Sequence, residues 1–152
     1  CTLGLHAGLT YKGFDFDVLF QGALNRSVYW SGSYFEAFQN DGQISSIALN
    51  RWTEDTKSTA TYPRLSASNN LNNYQSSSFW QKNGDFLKLR SLEIGYTIPK
   101  NLTRKIKIEG VRVCMNGTNL FSLDHMDGFT DPETMTGYPA MRTVSLGLSV
   151  QL

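Results

Sequence analysis

The chain holds few residues that could do covalent chemistry, and their spacing argues against it. His6 and His125 are the only histidines. His6 falls on the polar side of an alternating segment and His125 in a loop, so neither forms a metal triad or a nucleophile–base pair. Each reads as a solvated or hydrogen-bonded side chain. Cys1 and Cys114 are the only cysteines, and two on distant segments give neither a disulfide framework nor a zinc spacing. Asp124, Asp127, Asp131 and Glu133 make one acidic cluster. Oxygen-rich loops can hold calcium, but this spacing is not that of an EF-hand, and turn-capping carboxylates are the preferred reading. No glycine-rich phosphate cradle is present, and nothing pairs two carboxylates as a glycoside hydrolase requires. The expectation is a protein that is not an enzyme and needs no cofactor or metal.

Two other groups invite binding instead. Tyr29, Trp30, Tyr34 and Phe35 cluster in a loop-like stretch, where aromatic rings can stack on sugar faces or anchor an interface. Trp52 and Trp80 are expected to pack internally. The charges Lys12, Asp15, Asp17, Glu93 and Arg112 share the polar side of alternating segments and gather toward one end of them.

Those segments are β-strands by their period of two, which sends successive side chains to opposite faces. In Thr2 to Tyr11, Leu3, Leu5, Ala7, Leu9 and Tyr11 share one face. Lys12-Gly13 supplies a two-residue turn with glycine free to take positive φ. Phe14, Phe16, Val18, Phe20 and Leu24 continue the same face, because a two-residue hairpin sets Tyr11 opposite Phe14. Leu92, Ile94, Tyr96 and Ile98 form a third set, ended by Pro99, and Val111, Val113 and Met115 a fourth. Val144, Leu146, Leu148, Val150 and Leu152 alternate to the last residue. The strands expected are therefore about 2–12, 14–25, 86–98, 111–119 and 142–152.

Over 3–11, 14–24, 92–98, 111–115 and 144–152 the apolar face is hydrophobic at every alternate position except Gly22, whereas the other face is mostly Thr, Ser, Gly, Asn and Gln. A water-facing sheet normally carries more Lys and Glu. Each large apolar side chain left in water forgoes roughly 1.5–3 kcal/mol. No run of amphipathic helices is available to cover that face, so hydrocarbon is the economical solvent for it. Nine to eleven residues at ~3.3 Å, tilted about 40°, cover roughly 25 Å, the height of an outer-membrane apolar band. Tyr11, Phe14 and Tyr96 stand near strand ends, where aromatic belts belong. A net charge of +1 with 18% charged residues leaves no basic footprint for nucleic acid. No apolar run is long enough for a membrane helix, and a mean hydropathy of −0.31 does not exclude spanning strands, since alternation averages out.

The connections alternate in length. Two are short, at residues 12–13 and about 100–110, and two are long, at about 26–85 and 120–141. Short periplasmic turns and long extracellular loops are the outer-membrane asymmetry. The longer loop is expected to be folded by its aromatics, with Asp41 capping a short helix that places Ile44, Ile47, Ala48 and Trp52 on one side. Five strands cannot close a barrel, and the chain opens on Cys1 rather than Met with no signal peptide. A processed product or a piece of a longer chain is the expectation, a lipidated Cys1 being the less favoured reading.

The segment Ser78-Phe79-Trp80-Gln81-Lys82-Asn83-Gly84-Asp85-Phe86-Leu87-Lys88-Leu89-Arg90-Ser91-Leu92-Glu93-Ile94-Gly95-Tyr96-Thr97-Ile98-Pro99 resembles the sequence near the end of SusC/RagA-type TonB-linked outer-membrane transporters of Bacteroidetes-like bacteria. Arg51-Trp52-Thr53, Tyr62-Pro63-Arg64-Leu65, Asn116-Gly117-Thr118-Asn119-Leu120-Phe121, Asp131-Pro132-Glu133 and Tyr138-Pro139-Ala140-Met141-Arg142-Thr143 resemble the same family in the same order. Leu152 departs from it, since such barrels more often end in an aromatic residue. The resemblance implies an all-β fold, an antiparallel transmembrane β-barrel of about 22 strands filled by an N-terminal plug, with this chain as its last five strands. Neither the plug nor the TonB-contacting box lies in these residues. It further implies a bacterial outer-membrane location and uptake of oligosaccharides or peptides. The partners implied are membrane lipid, a SusD-like surface lipoprotein acting as a lid, and the TonB complex. Asp15, Asp17, Glu93 and Arg112 would then meet the plug from the lumen wall, and Tyr29, Trp30, Tyr34 and Phe35 would meet cargo or lid. The competing reading is a soluble β-sandwich carbohydrate-binding module.

Overall fold

A two-residue turn sets the register of the first hairpin. Lys12 and Gly13 both take positive φ, +47° and +88°, the twist that matches two right-handed strands. It joins β1 (Thr2–Tyr11) to β2 (Phe14–Ala23) with Tyr11 opposite Phe14. The computed structural model describes residues 1–39, 43–66, 70–104, 107–126, 128–135 and 137–151. The chain divides into two units: Cys1–Arg26, Gly84–His125 and Pro139–Leu152 form one, and Ser27–Asn83 with Met126–Tyr138 the other.

The first unit is a five-stranded antiparallel sheet. β1 and β2 are followed in it by β5 (Phe86–Thr97), β6 (Gly110–Asp124) and β7 (Thr143–Gln151), in the order β1-β2-β5-β6-β7. Neighbours in sequence are thus neighbours in space, a plain meander. Cross-strand register builds rows of one character. Tyr11, Phe14, Tyr96, Val113 and Leu148 stand side by side, then Leu9, Phe16, Ile94, Met115 and Leu146. The Phe14 and Tyr96 rings lie 4.4 Å apart. On the opposite face run Thr10, Asp15, Gly95, Cys114 and Gly147.

The apolar face is exposed. Leu5, Leu9, Phe14, Val113, Leu146 and Leu148 all stand open, Leu146 at 81%. A β-sandwich would bury such a face on a second sheet of similar extent. Among the described residues the other sheet is only the two-stranded pair β3 (Ser27–Tyr29) and β4 (Gln81–Asn83). No helix among the described residues is long and apolar enough to cross a membrane.

Two features depart from simple alternation. Leu87 and Leu89 share the apolar face with Leu92 because Arg90 occupies a bulge, where the pairing with both β2 and β6 shifts. Arg90 bridges its neighbours from there, donating to Gln21 Oε1 (2.8 Å) and Asn119 Oδ1 (3.1 Å). The fourth strand also runs to Asp124 rather than ending near 119, so the following loop starts later than 120. Asn119 takes φ +51°, after which Phe121 and Leu123 resume the pairing opposite Leu89 and Leu87. Gly117 makes room for this: a Cβ there would fall 2.6 Å from Leu120 Cδ1.

The hydrophobic core lies in the second unit. Val28, Trp30, Phe35, Ala37, Ile47, Ala48, Tyr62, Trp80 and Met126 pack together. The expected helix is a five-residue 3-10 turn, Ser46–Asn50, that buries Ile47 and Ala48 and follows Ser45 without a side-chain cap. Asp41 lies outside the described residues. Trp52 leaves the helical face because the chain extends there to pair with Tyr62, its N–H bonding the Tyr62 carbonyl at 2.9 Å. A longer connection in the sheet unit holds α1 (Lys100–Thr103) between β5 and β6.

Candidate functional site

On the polar face of the sheet, Asp15, Glu93 and Arg112 form one ion triad, with Arg112 Nη2 bonded to both carboxylates and Nε 3.2 Å from Asp15 Oδ1. The three side chains come from β2, β5 and β6. Arg112 pairs with Thr97 across the ladder, two rows away from Glu93. Its guanidinium reaches back over Gly95, where a Cβ would lie 2.6 Å from Arg112 Nη2. The glycine is therefore the seat on which the triad rests. Asp17 joins a different partner, His6, with Nε2 2.6 Å from Oδ2. Lys12 stays in the turn, its Nζ 5.2 Å from the Tyr11 ring centre. Five charges expected to share one region thus sort into a triad, a pair and a turn cation. Two carboxylates against one guanidinium leave the triad at net −1.

In the second unit the four aromatic candidates divide. Phe35 is 1% exposed and stacks on the buried Trp30 at 4.9 Å, so both belong to the core and neither offers a face to a ligand. The reason is packing: a short loop sheet this small needs its largest rings inside. Trp30 Nε1 is buried with no hydrogen-bond partner among the described residues. Tyr29 and Tyr34 remain exposed, and their hydroxyls are engaged. Tyr29 accepts the Ser77 N–H (3.1 Å), and Tyr34 donates to the Phe129 carbonyl (2.6 Å).

Sequence reasoning missed the concave surface of this unit. Trp52, Arg64, Asn72 and Phe79 border a cavity of about 420 Å³ floored by Tyr62 and Trp80. Its frame comes from two motifs noted separately. Arg51 and Tyr62 form a bridge, so Arg51-Trp52-Thr53 and Tyr62-Pro63-Arg64-Leu65 run side by side. Reciprocal bonds between Thr53 and Thr56, each N–H to the other's hydroxyl at 2.9 and 3.2 Å, hold the turn that follows. Trp80 is locked by its Nε1 bond to the Asn73 carbonyl (2.9 Å), and Tyr62 by donating to Phe35 O (2.8 Å) while accepting from Ala37 N (3.0 Å). Burial pushes the Tyr62 phenol above its ordinary range, and a hydrogen bond with Tyr74 adds to this. Exposed Phe79 and half-buried Trp52 could present rings to a ligand, with Arg64 and Asn72 as polar contacts.

Asp124 and Asp131 of the acidic cluster each take a local hydrogen bond. Asp124 ends β6 and accepts from Ser122 Oγ (2.7 Å), Asp131 accepts the Glu133 N–H (2.8 Å), and Asp127 lies outside the described residues. Among the described residues no three His, Cys, Asp or Glu side chains gather as a metal site would need. His125 Nδ1 stands 3.5 Å from the Asp85 carbonyl, and both cysteines are free thiols.

Comparison with known proteins places this arrangement. No family model matches the chain. It is 25% identical to TonB-dependent receptor P3 of Formosa agariphila, over 99% of this chain and 16% of that protein. It is 30% identical to TonB-dependent receptor SusC of Bacteroides thetaiotaomicron, over 98% of this chain and 15% of that protein. Among solved structures, the RagAB peptide importer in its open-open state superposes with a TM-score of 0.73 and 28% identity, covering 99% of this chain and 17% of that one. The closed-closed state gives 0.70, again at 28% identity, with 98% and 17% covered. The chain spans about a sixth of the length of the relatives it matches. Fold and sequence agree from one end to the other, and the chain belongs to the SusC/RagA-type TonB-dependent receptors, a family of outer-membrane transporters rather than enzymes.

Proposed function

We propose that this chain forms the last five strands of a plugged barrel of about 22 strands, in an outer-membrane importer of oligosaccharides or peptides. The open apolar face carries the reading. Leu5, Leu9, Phe14, Val113, Leu146 and Leu148 all stand exposed on one side of a single sheet, and hydrocarbon removes that cost. Residues 26–85 and the loop after Asp124 then lie outside the cell, and the 12–13 and 100–109 connections face the periplasm. Kinship with the RagAB peptide importer supports a SusD-like lipoprotein partner, with the TonB complex supplying energy through a plug.

Tyr29, Tyr34 and the Trp52–Phe79 cavity are the surfaces on which cargo or the lipoprotein would rest. Asp15, Glu93 and Arg112, with Asp17 beside them, face the lumen and the plug. The residual negative charge of the triad suits a plug cation. The test is deletion of the full-length gene, followed by growth on defined oligosaccharide or peptide mixtures. Loss of growth on one class, restored by the parent gene, supports importer function. Unchanged growth together with recovery of the protein in the soluble fraction would overturn it. For the wall residues, Arg112→Gln with Glu93→Gln should slow uptake, and normal uptake and stability would remove the plug contact.

A further inference from the structure

Lys100, Arg104 and Lys107, with Ile108 and Glu109, surround a hollow of about 320 Å³ at the connection between β5 and β6. Residues 100–107 carry four cations, Lys100, Arg104, Lys105 and Lys107, in a chain whose net charge is only +1. Lys100, Arg104 and Lys107 form no ion pair with a carboxylate among the described residues. The described residues of this connection are tied by backbone hydrogen bonds. Leu102 N bonds Pro99 O (3.0 Å), Lys107 N bonds Arg104 O (3.2 Å), Ile108 N bonds Thr103 O (3.1 Å) and Glu109 N bonds Gln151 O of β7 (2.8 Å). These bonds hold residues 99–104 and 107–109 in place before any ligand arrives. Beside the cations, on α1 itself, Leu102 is 59% exposed. An exposed leucine among unpaired cations, at the end of two strands with open apolar sides, is the pattern of a surface that touches acyl chain and headgroup together.

We infer that this connection binds the phosphate of an anionic phospholipid in the periplasmic leaflet, fixing the rim of the sheet at the headgroup level. The inference rests on the orientation proposed above. Lysine and arginine at a lipid surface each favour anionic headgroups by about 1 kcal/mol, roughly a factor of five. Three of them are enough to select phosphatidylglycerol over a zwitterionic lipid, and Glu109 at the edge offsets part of that.

The test uses the full-length receptor in nanodiscs of phosphatidylcholine containing a minor share of phosphatidylglycerol. Native mass spectrometry counts the phosphatidylglycerol kept after release. The variant Lys100→Gln, Arg104→Gln, Lys107→Gln should retain at least about tenfold less, while Lys57→Gln with Arg142→Gln should retain as much as the parent. Restoring charge with Lys100→Arg and Lys107→Arg should keep retention. Equal retention by the triple glutamine variant overturns the site, and leaves the barrel reading standing because the receptor still occupies the disc. Inorganic phosphate binding in detergent as strongly as phosphatidylglycerol overturns the lipid as its ligand. Failure of the parent to enter nanodiscs at all overturns both readings.

Discussion

Replacing Leu146 by lysine separates hydrocarbon from water more sharply than any other single change. Leu146 is the fourth residue of β7, faces Met115 and is 81% exposed. At ~3.3 Å per residue and a tilt of about 40°, each residue advances roughly 2.5 Å along the membrane normal. Thr143–Gln151 then covers about 20 Å, and Leu146 lies deep in an apolar band roughly 25 Å tall. Lysine on a lipid face costs about 2–4 kcal/mol at the midplane and about 0–1 near the interfaces. Leu146→Lys should therefore cost about 2–3 kcal/mol, and Val150→Lys, near the strand end, less than about 1. Ser145→Lys, one residue away on the polar face, should fall within about 0.5 kcal/mol of the parent, as an ordinary surface change does. If water covers the face, Leu146→Lys is also an ordinary surface change. The assay is the denaturant midpoint of the full-length receptor folded into phospholipid vesicles. A loss of about 2 kcal/mol is close to a 30-fold change in the folded-to-unfolded ratio. Equal midpoints for Leu146→Lys and Ser145→Lys would refute the reasoning, as would an equal loss at Val150.

Three further outcomes follow from the packing. Phe35→Ala, at a fully enclosed ring, should destabilise the loop unit by about 3–5 kcal/mol and open it to protease, whereas exposed Tyr34→Ala should leave protease resistance intact and lower uptake or lipoprotein binding. Tyr62→Phe removes the donor to Phe35 O and the acceptor for Ala37 N, and should cost about 1–3 kcal/mol in thermal unfolding. With its phenol raised by burial, Tyr62 contributes stability that is fully present below about pH 10 and is lost as pH rises through its folded value. The parent's loop unit should weaken in strong alkali and the Tyr62→Phe variant should weaken less, which alkaline unfolding curves would show. Gly95→Leu should expel the Arg112 guanidinium from between Asp15 and Glu93, seen as a displaced arginine in a high-resolution structure of the receptor, while Gly4→Leu, with nothing within 4 Å of the added carbon, should not perturb the wall.

The strands were legible because one physical demand, a single oily face, was written into alternate residues of each strand, from Leu3 in β1 to Val150 in β7. The turn at Lys12-Gly13 fixed how the first two share it. Local exceptions were not legible. The bulge at Arg90 is a step of three between Leu89 and Leu92, and its meaning depends on Gln21 and Asn119, which lie far away in sequence. The extension of β6 past Asn119 is hidden by a left-handed residue that breaks the alternation before Phe121 restores it. Lys88 is charged yet buried, its Nζ 5.4 Å from the Phe86 ring centre, and nothing in the pattern of β5 foretells that. In the loop unit, composition signalled aromatics but not their division into core and surface. Trp30 and Phe35 were sorted inward by packing in one cluster with Ile47, Tyr62 and Trp80, all distant in the chain. The charged wall lay between these cases. Its residues were visible as a group, but the choice of partners depended on Gly95, whose missing side chain gives the arginine its path.

The most direct measurement is a nitroxide scan of residues 143–150 in the full-length receptor, with Cys1 and Cys114 replaced by serine and the protein in a phospholipid bilayer. Labels at 144, 146, 148 and 150 should collide with dissolved oxygen and be shielded from an aqueous nickel chelate, and labels at 143, 145, 147 and 149 should show the reverse. Nickel accessibility at both sets, or shielding of the even positions from oxygen and nickel alike, would contradict a lipid-facing sheet.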